Sequence, residues 1–303
     1  MDTQRLEIAR LFHRTGFGPK PGEFAEALRA GVASTRNKIL SAPSTVSFVT
    51  PPVLTDLGPR PEPNSPDVVG FSQQMRYQNQ LLFLWWLDEM VTSPHTLQEK
   101  MTWFWHGHWA TSIGKVNYAL PMLNQNVTMR KYALGNFTEF AKAMFFDGAL
   151  QEWLDGGENT VKAPNENLSR EMMELFVLGV NRYTETDVKE LARAFTGYQV
   201  SRSKGIVTHN PRRRDTSSVT ILGKSGVMNP EEVIAHLVSQ SNCALFIAER
   251  IWYRFVSSQE PLPQNHPMIK AFADRDTYAL MKSLIESSAL SQQQYSMVKS
   301  PVE

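Results

Sequence analysis

The sequence predicts an all-α fold, a multi-helix globular domain with a small β-meander insertion. Three observations support this prediction. Apolar residues recur at helical spacing over most of the chain. Hydrophobic residues make up 42% and charged residues 20% of the sequence, which is ordinary for a folded domain. After Gly197 the spacing changes to short alternating runs, which are typical of strands. We therefore expect residues 1–303 to form a single helical domain.

Helix boundaries are predicted from caps and breakers. The first helix places Leu6, Ala9 and either Phe12 or His13 on one face, and it ends at a glycine-rich turn. Thr184 and the acid three residues later form a capping-box pattern at the start of another helix. The other predicted helices cover residues 21–31, 75–90, 97–105 and 242–255, segments beginning at 136, 165 and 229, and a segment around 278–285.

Two segments lack the helical period. Residues 43–66 carry seven of the 18 prolines, which predicts a proline-rich surface loop acting as a linker or a lid. We expect this loop to be the most mobile internal segment. Short strands are predicted at Tyr198–Val200, Gly205–His209 and Ser218–Leu222, and together they form the expected β-meander over residues 198–222.

The charge balance excludes two classes of partner. Lysine and arginine total 31 and aspartate and glutamate total 30, so the chain has no global field to attract nucleic acid or an anionic membrane. The basic cluster Arg212–Arg214 is interpreted as a solvated turn. We therefore expect no nucleic-acid partner and no membrane association.

Cysteine use and the apolar runs indicate the compartment. The one cysteine, Cys243, lies in an apolar stretch and is expected to be a buried, inert thiol. Residues 1–10 lack the apolar core of a signal peptide, and the apolar run 81–87 is far shorter than the ~20 residues that span a bilayer. The default prediction is a cytoplasmic protein, or a secreted or periplasmic one if a leader was removed.

Two histidines flank Gly107 in an aromatic segment. On an unbroken helix, residues two apart point ~200° from each other, so His106 and His108 could not hold the same metal ion. A helix ending at Gly107 would let the two imidazoles converge. The alternative is that both histidines are satisfied by protein partners within an aromatic core.

A second candidate cluster follows Pro164. Asn165 or Asn167 is expected to start a helix that is apolar nearly all round, so Glu171 and Glu174 should be largely buried. Buried carboxylates need partners. These are either the arginines Arg170, Arg193 and Arg130 in a structural ion network, or a divalent metal ion shared with His106 and His108.

The remaining candidate residues are assigned to substrate binding. His13 and Arg14 precede a glycine-rich bend, where the arginine could cap carbonyls or bind an anion. Asn165, Asn167 and Arg170 could orient a substrate beside the predicted metal site. No phosphate-loop, nucleophile-elbow or His-Glu-x-x-His pattern is present in the sequence.

Four ordered motifs make the sequence recognisable. They are Leu11–Pro19, Glu99–His108, Pro164–Phe176 and Tyr183–Gly197. Together they resemble the family catalogued as domain of unknown function 1800. The chain departs from the family pattern at His209-Asn210-Pro211, where the family usually has His-Asp-x-Gly. Its last residues look like the start of a helix that longer members continue, which predicts a chain truncated at its C-terminus relative to the family.

The resemblance implies no substrate or reaction. Genes of the family often neighbour those of proteins resembling sulfatases and phosphatases, which implies such a protein as a partner. Two functional hypotheses follow. The first is a metal-dependent enzyme with a His/Glu site in a helical core, and the second is a non-catalytic helical binding or accessory protein that acts with the neighbouring gene product.

Overall fold

A computed structural model describes residues 3–41, 50–292 and 295. Residues 43–49 of the predicted loop and the predicted C-terminal truncation lie outside the described residues. The described chain is mostly helical with a small β insertion, which confirms the predicted fold class. None of its helices is both long enough and apolar enough to cross a membrane.

The described residues form 15 α-helices. In chain order they are α1 Thr3–Thr15, α2 Glu23–Ala30, α3 Val32–Leu40, α4 Val68–Thr92, α5 Thr96–His108, α6 Ile113–Val116, α7 Ala119–Tyr132, α8 Phe137–Phe145, α9 Gly148–Trp153, α10 Asn167–Glu171, α11 Glu185–Ala194, α12 Pro230–Ser239, α13 Ser241–Phe255, α14 Pro267–Ala271 and α15 Thr277–Glu286. A π-helix, Met172–Val177, continues α10 without a break.

Local sequence signals set several of these boundaries. The predicted capping box before α11 is present, because the side chain of Thr184 accepts from the backbone N–H of Asp187 and the Asp187 carboxylate accepts from that of Thr184. Asn229 forms a second box at α12 with Glu232. Asn136 caps α8 through its side-chain oxygen. These caps satisfy N–H groups that the first helical turn leaves without a partner.

One large apolar core joins α5, α7, α8, α11, α12, α13 and α15. Its centre is aromatic, with the Trp105 ring 5.5 Å from Phe137 and 5.2 Å from Phe140. Cys243 is buried in the same core, as predicted, and burial raises the pKa of its thiol to about 12. The thiol is therefore neutral across the physiological pH range.

The β segment forms two separate hairpins rather than one meander. Strand β1 (Tyr198–Ser201) pairs antiparallel with β2 (Ile206–His209), and β3 (Val219–Ile221) pairs antiparallel with β4 (Lys224–Gly226). Among the described residues, β2 and β3 belong to different sheets. The expected three strands are therefore present, but the third pairs with a fourth strand that was not predicted.

The turn of the first hairpin packs closely on helix α9. A Cβ atom on Gly148 would lie 2.2 Å from the carbonyl oxygen of Gly205, so only glycine allows this approach. Gly205 also has a φ of +66° and packs on Pro121. The hairpin is thereby held against the first turns of α7 and α9.

The described part of the proline-rich segment has no regular secondary structure apart from turns, but it is tethered to the helices. The Gln78 amide donates to the Thr55 hydroxyl over 2.8 Å, and the Tyr118 hydroxyl donates to the Gly58 carbonyl over 3.1 Å. These bonds lay residues 50–60 across α4 and the start of α7.

Candidate functional site

Helix α5 runs through Gly107 to His108, so the alternative in which the helix ends at Gly107 and the two imidazoles converge does not occur. The two histidines consequently point in different directions. His106 packs edge-on against the Trp86 ring, with 4.9 Å between ring centroids, and burial lowers the pKa of its imidazole. Nothing lies within 4 Å of a Cβ placed on Gly107, so no close contact requires a glycine at this position.

His108 is enclosed by aromatic rings and caps a carbonyl. Its Nε2 lies 2.9 Å from the Phe176 carbonyl oxygen. Since a carbonyl can only accept, Nε2 carries the proton of a neutral imidazole. Burial lowers the pKa of His108 to about 3, against a smaller opposing effect of this hydrogen bond. The side chain is thus a neutral structural donor at physiological pH.

The partner carbonyl belongs to the π-helix that follows α10. The predicted regular helix is replaced here by wider turns, with the Leu178 and Gly179 N–H groups both donating to the Met173 carbonyl at 2.9 and 3.1 Å. The chain then turns at Gly179, whose φ is +90°. The Phe176 carbonyl therefore finds its donor in a side chain of another helix, His108.

Glu171 and Glu174 lie on this segment and are half-buried, so the predicted burial is partial. The Tyr183 hydroxyl donates to Glu174 over 2.5 Å. The pKa of Glu171 is raised, chiefly by burial and further by the neighbouring Glu174 charge. Glu171 is the last residue of α10, whereas Glu174 lies in the π-helix, whose hydrogen bonds reach five residues back instead of four.

The described residues do not form the predicted metal site. Among them, no group of three or more histidine, cysteine, aspartate or glutamate side chains is placed to hold a metal ion. His106, His108, Glu171 and Glu174 therefore do not form a shared four-ligand site. The first two contact Trp86 and Phe176, and Glu174 contacts Tyr183.

The arginines proposed as partners of Glu171 and Glu174 pair with other carboxylates. Arg170 bonds Glu185 at 2.7 Å and Glu166 at 3.1 Å, on the surface. Arg193 pairs with Glu190 and Asp215, and Arg130 pairs with Glu89 and Glu99. Arg170, expected to bind substrate, thus lies in an exposed ion network whose contribution to stability is small.

The two asparagines of this motif bond the backbone. Asn165 donates to the Asp155 carbonyl over 3.2 Å, and Asn167 donates to the Leu154 carbonyl over 3.2 Å. Asn165 in turn accepts from the Asn167 N–H. The two amides join the start of α10 to the end of α9. These backbone contacts do not depend on a bound substrate.

The N-terminal pair lies against the end of the described chain. Arg14 is buried and donates to the Tyr295 carbonyl over 2.6 Å. Burial lowers the pKa of its guanidinium to about 10, with a further effect from Arg10. Of the two roles considered for Arg14, capping a carbonyl or binding an anion, the structure shows the first. His13 packs beside Gly18, 3.4 Å from the position of a Cβ on that glycine.

A buried charge cluster lies between α4, α5 and α7. The Arg130 guanidinium bonds both carboxylate oxygens of Glu99, lies 3.4 Å from Glu89 and donates to Asn126 over 2.9 Å. The Trp86 indole donates to Oε1 of the same Glu99 carboxylate over 2.9 Å. The three charges are almost fully excluded from solvent. Only Arg130 was identified in the sequence, because its carboxylate partners come from other helices.

A polar groove was missed by the sequence analysis. It encloses about 530 Å³ between the tethered loop, helix α6 and the turn of the first hairpin. Its lining is Pro59, Arg60, Met75, Lys115, Val116, Asn117, Tyr118, Glu152, Ser201, Arg202 and Ser203. A smaller cavity of about 240 Å³ adjoins it and shares Glu152 and Arg202. No local pattern predicted this groove, since five separate chain segments form its walls.

Ion pairs and hydrogen bonds fix the groove walls. Lys115 bonds Asp155 at 2.9 Å and the Trp153 carbonyl at 2.6 Å, and Arg202 bonds Glu152 at 3.0 Å. The turn is also joined to the loop, because Lys204 lies 3.5 Å from Asp56. Hydrogen bonds from Ser203 and from the Gly58 backbone contribute to lowering the pKa of Asp56.

A family model described as "Protein of unknown function (DUF1800)" matches residues 10–303. The chain belongs to the DUF1800 family. No curated protein and no solved structure matches the chain. Two sequence motifs of this DUF1800 protein are in contact with each other. Phe17 from the first motif packs on Lys100 from the second, with the Lys100 ammonium 4.9 Å from the centroid of the Phe17 ring.

Proposed function

We propose that this DUF1800 protein binds a small polar ligand in the groove and does so without catalysing a reaction. The observation that carries the proposal is the groove itself. Its volume of about 530 Å³ lies within the ~300–1,000 Å³ typical of small-molecule sites. Its lining is dominated by charged and hydroxyl or amide side chains, which favours a hydrophilic ligand over an apolar one.

The organisation of the walls supports this proposal. Tyr118 lies in the groove, and its hydroxyl holds the loop through the Gly58 carbonyl. Asn117 has a φ of +67°, and its amide donates to the Lys115 carbonyl over 2.7 Å. The polar groups are therefore held in place before a ligand arrives, which lowers the entropy lost on binding.

The contacts of the histidines favour binding over metal-dependent catalysis. His108 is a neutral donor to a backbone carbonyl, and His106 packs on an indole ring. A general base or metal ligand needs a free nitrogen lone pair that a substrate or ion can reach. The accessory hypothesis needs no such nitrogen, and it is compatible with a protein partner that supplies or uses the bound ligand.

The test is saturation-transfer NMR of the purified protein with a mixture of sugars, sugar acids, amino acids and nucleosides. The variant Ser201→Trp places a large ring at an exposed groove position. The control Ser225→Trp makes the same change at an exposed site in the other hairpin. We expect at least one compound to bind the wild type and Ser225→Trp but not Ser201→Trp. Absence of any bound compound, or binding that Ser201→Trp leaves intact, would contradict the proposal.

A further inference from the structure

We infer that the ligand of the groove is a small anion, one carboxylate or phosphate group on a hydroxylated frame, whose charged group is held by Arg60 and Arg202. This inference rests on the proposed function. The lining of the groove contains the three cations Arg60, Lys115 and Arg202 but one carboxylate, Glu152. The excess of positive charge in a concave site favours an anionic ligand.

Arg60 and Arg202 both line the groove. Arg60 belongs to the tethered loop and Arg202 to the hairpin turn, so the two arginines come from different walls. Burial raises the pKa of the Tyr118 hydroxyl in the same groove, and the charges of both arginines act in the opposite direction. Two guanidinium groups facing one space can hold a carboxylate or phosphate through several charge-assisted hydrogen bonds.

Arg60 and Arg202 also remain available to a ligand. Within the described part of the chain, no carboxylate forms an ion pair with Arg60, whose side chain is exposed. Arg202 is bound by Glu152 through Nε, and 64% of its side chain is exposed, which leaves the two terminal nitrogens free to donate. Lys115, by contrast, is already bonded to Asp155 and to a carbonyl.

The hydroxylated frame follows from the rest of the lining. Ser201, Asn117 and Glu152 place a hydroxyl, an amide and a carboxylate around the space that the arginines leave. A ligand hydroxyl can both donate and accept, so it matches such a mixed set, whereas an apolar frame would cover the remaining hydrogen-bonding capacity of these groups without using it. The ligand class is therefore an acidic or phosphorylated hydroxy compound.

The experiment compares three probes that share a sugar ring. Glucuronate carries a carboxylate, glucose 6-phosphate carries a phosphate and glucose carries neither, and the affinity of each is measured by titration calorimetry at low salt. We expect one or both anions to bind about tenfold or more tightly than glucose, with affinity falling as salt is added. Their relative affinities distinguish a carboxylate ligand from a phosphate ligand.

Variants assign the effect to the arginines. Arg60→Gln and Arg202→Gln should each weaken anion binding about tenfold, since each removes a charge-assisted hydrogen bond. Arg212→Gln, an exposed arginine outside the groove lining, should leave binding unchanged. The inference is overturned if none of the probes binds, if glucose binds as tightly as the anions, or if both variants bind like the wild type. If other polar compounds still bind the wild type but not Ser201→Trp, the proposed function survives that result.

Discussion

Asp147 gives the structure a pH-dependent stability that can be measured. Its carboxylate caps α9 from the interior, accepting from the Leu150 N–H over 2.8 Å and from the Gln125 amide over 2.7 Å. Gln125 in turn accepts from the Thr111 hydroxyl over 2.6 Å. Burial outweighs these hydrogen bonds and raises the pKa of Asp147 from 3.8 to about 7.

The sign of the effect follows from the two pKa values. Well below pH 3.8 the carboxyl is protonated in both the folded and the unfolded chain, so its contribution to stability is complete. Between pH 4 and 7 the unfolded chain loses the proton while the folded one retains it, and stability falls as the pH rises. At about 1.4 kcal/mol per unit, the free energy of unfolding should fall by about 3 kcal/mol between pH 4.5 and 7.5.

The assay is urea denaturation of the wild type and Asp147→Asn at several pH values across that window. Asparagine keeps a side-chain oxygen for Leu150 and Gln125 but does not titrate there. The stability of the wild type relative to Asp147→Asn should therefore fall with rising pH. Asp276→Asn, the same substitution at the exposed cap of α15, is the control. Parallel curves for the wild type and Asp147→Asn would refute the reasoning, because the capping hydrogen bonds would then outweigh burial.

Two further predictions concern the backbone contacts and the histidine. Gly148→Ala should unfold the protein or displace the first hairpin, because the added Cβ would lie 2.2 Å from the Gly205 carbonyl oxygen. Gly107→Ala, where nothing lies within 4 Å of the added Cβ, should instead stabilise α5 by about 1 kcal/mol. Thermal melting of the two variants compares these effects. His108→Ala should lower the free energy of unfolding by about 3 kcal/mol, since it leaves a void among rings and strands the Phe176 carbonyl. Because this structural role of His108 needs no metal, a chelator should not change the free energy of unfolding of the wild type or of His108→Ala. A wild type destabilised by the chelator would contradict this role.

Much of the helical fold was predictable because its signals are local. The capping box of Thr184 and Asp187 and the helix start at Asn136 each depend on a few neighbouring residues, and the structure follows them. The pairing of the strands was not predictable in the same way. A turn with Leu222 at a φ of +47° and Gly223 at +80° forms a hairpin within residues 219–226, and this competes with pairing to β2.

The candidate site was harder to predict, for two physical reasons. The prediction of one regular helix through Glu174 assumed α-helical hydrogen bonding throughout, and the π-helix over Met172–Val177 departs from it without an evident sequence signal. The groove joins residues as distant as Arg60 and Arg202, and only tertiary packing brings them together. The helix continues through Gly107 because the ~1 kcal/mol of helix propensity that glycine costs is small beside the packing of α5 in the core.

The asparagine motif and the groove are connected through the end of α9. Asn167 and Asn165 hold the carbonyls of Leu154 and Asp155, and Asp155 holds Lys115 at one wall of the groove. One turn earlier, Glu152 on the same helix holds Arg202 at another wall. These amide–carbonyl bonds hold the backbone itself, whereas an exposed ion pair holds only side chains. The asparagine motif thus sets the position of Asp155 and Glu152, the carboxylates that orient the cations of the groove. A role as metal or substrate ligand would not explain this.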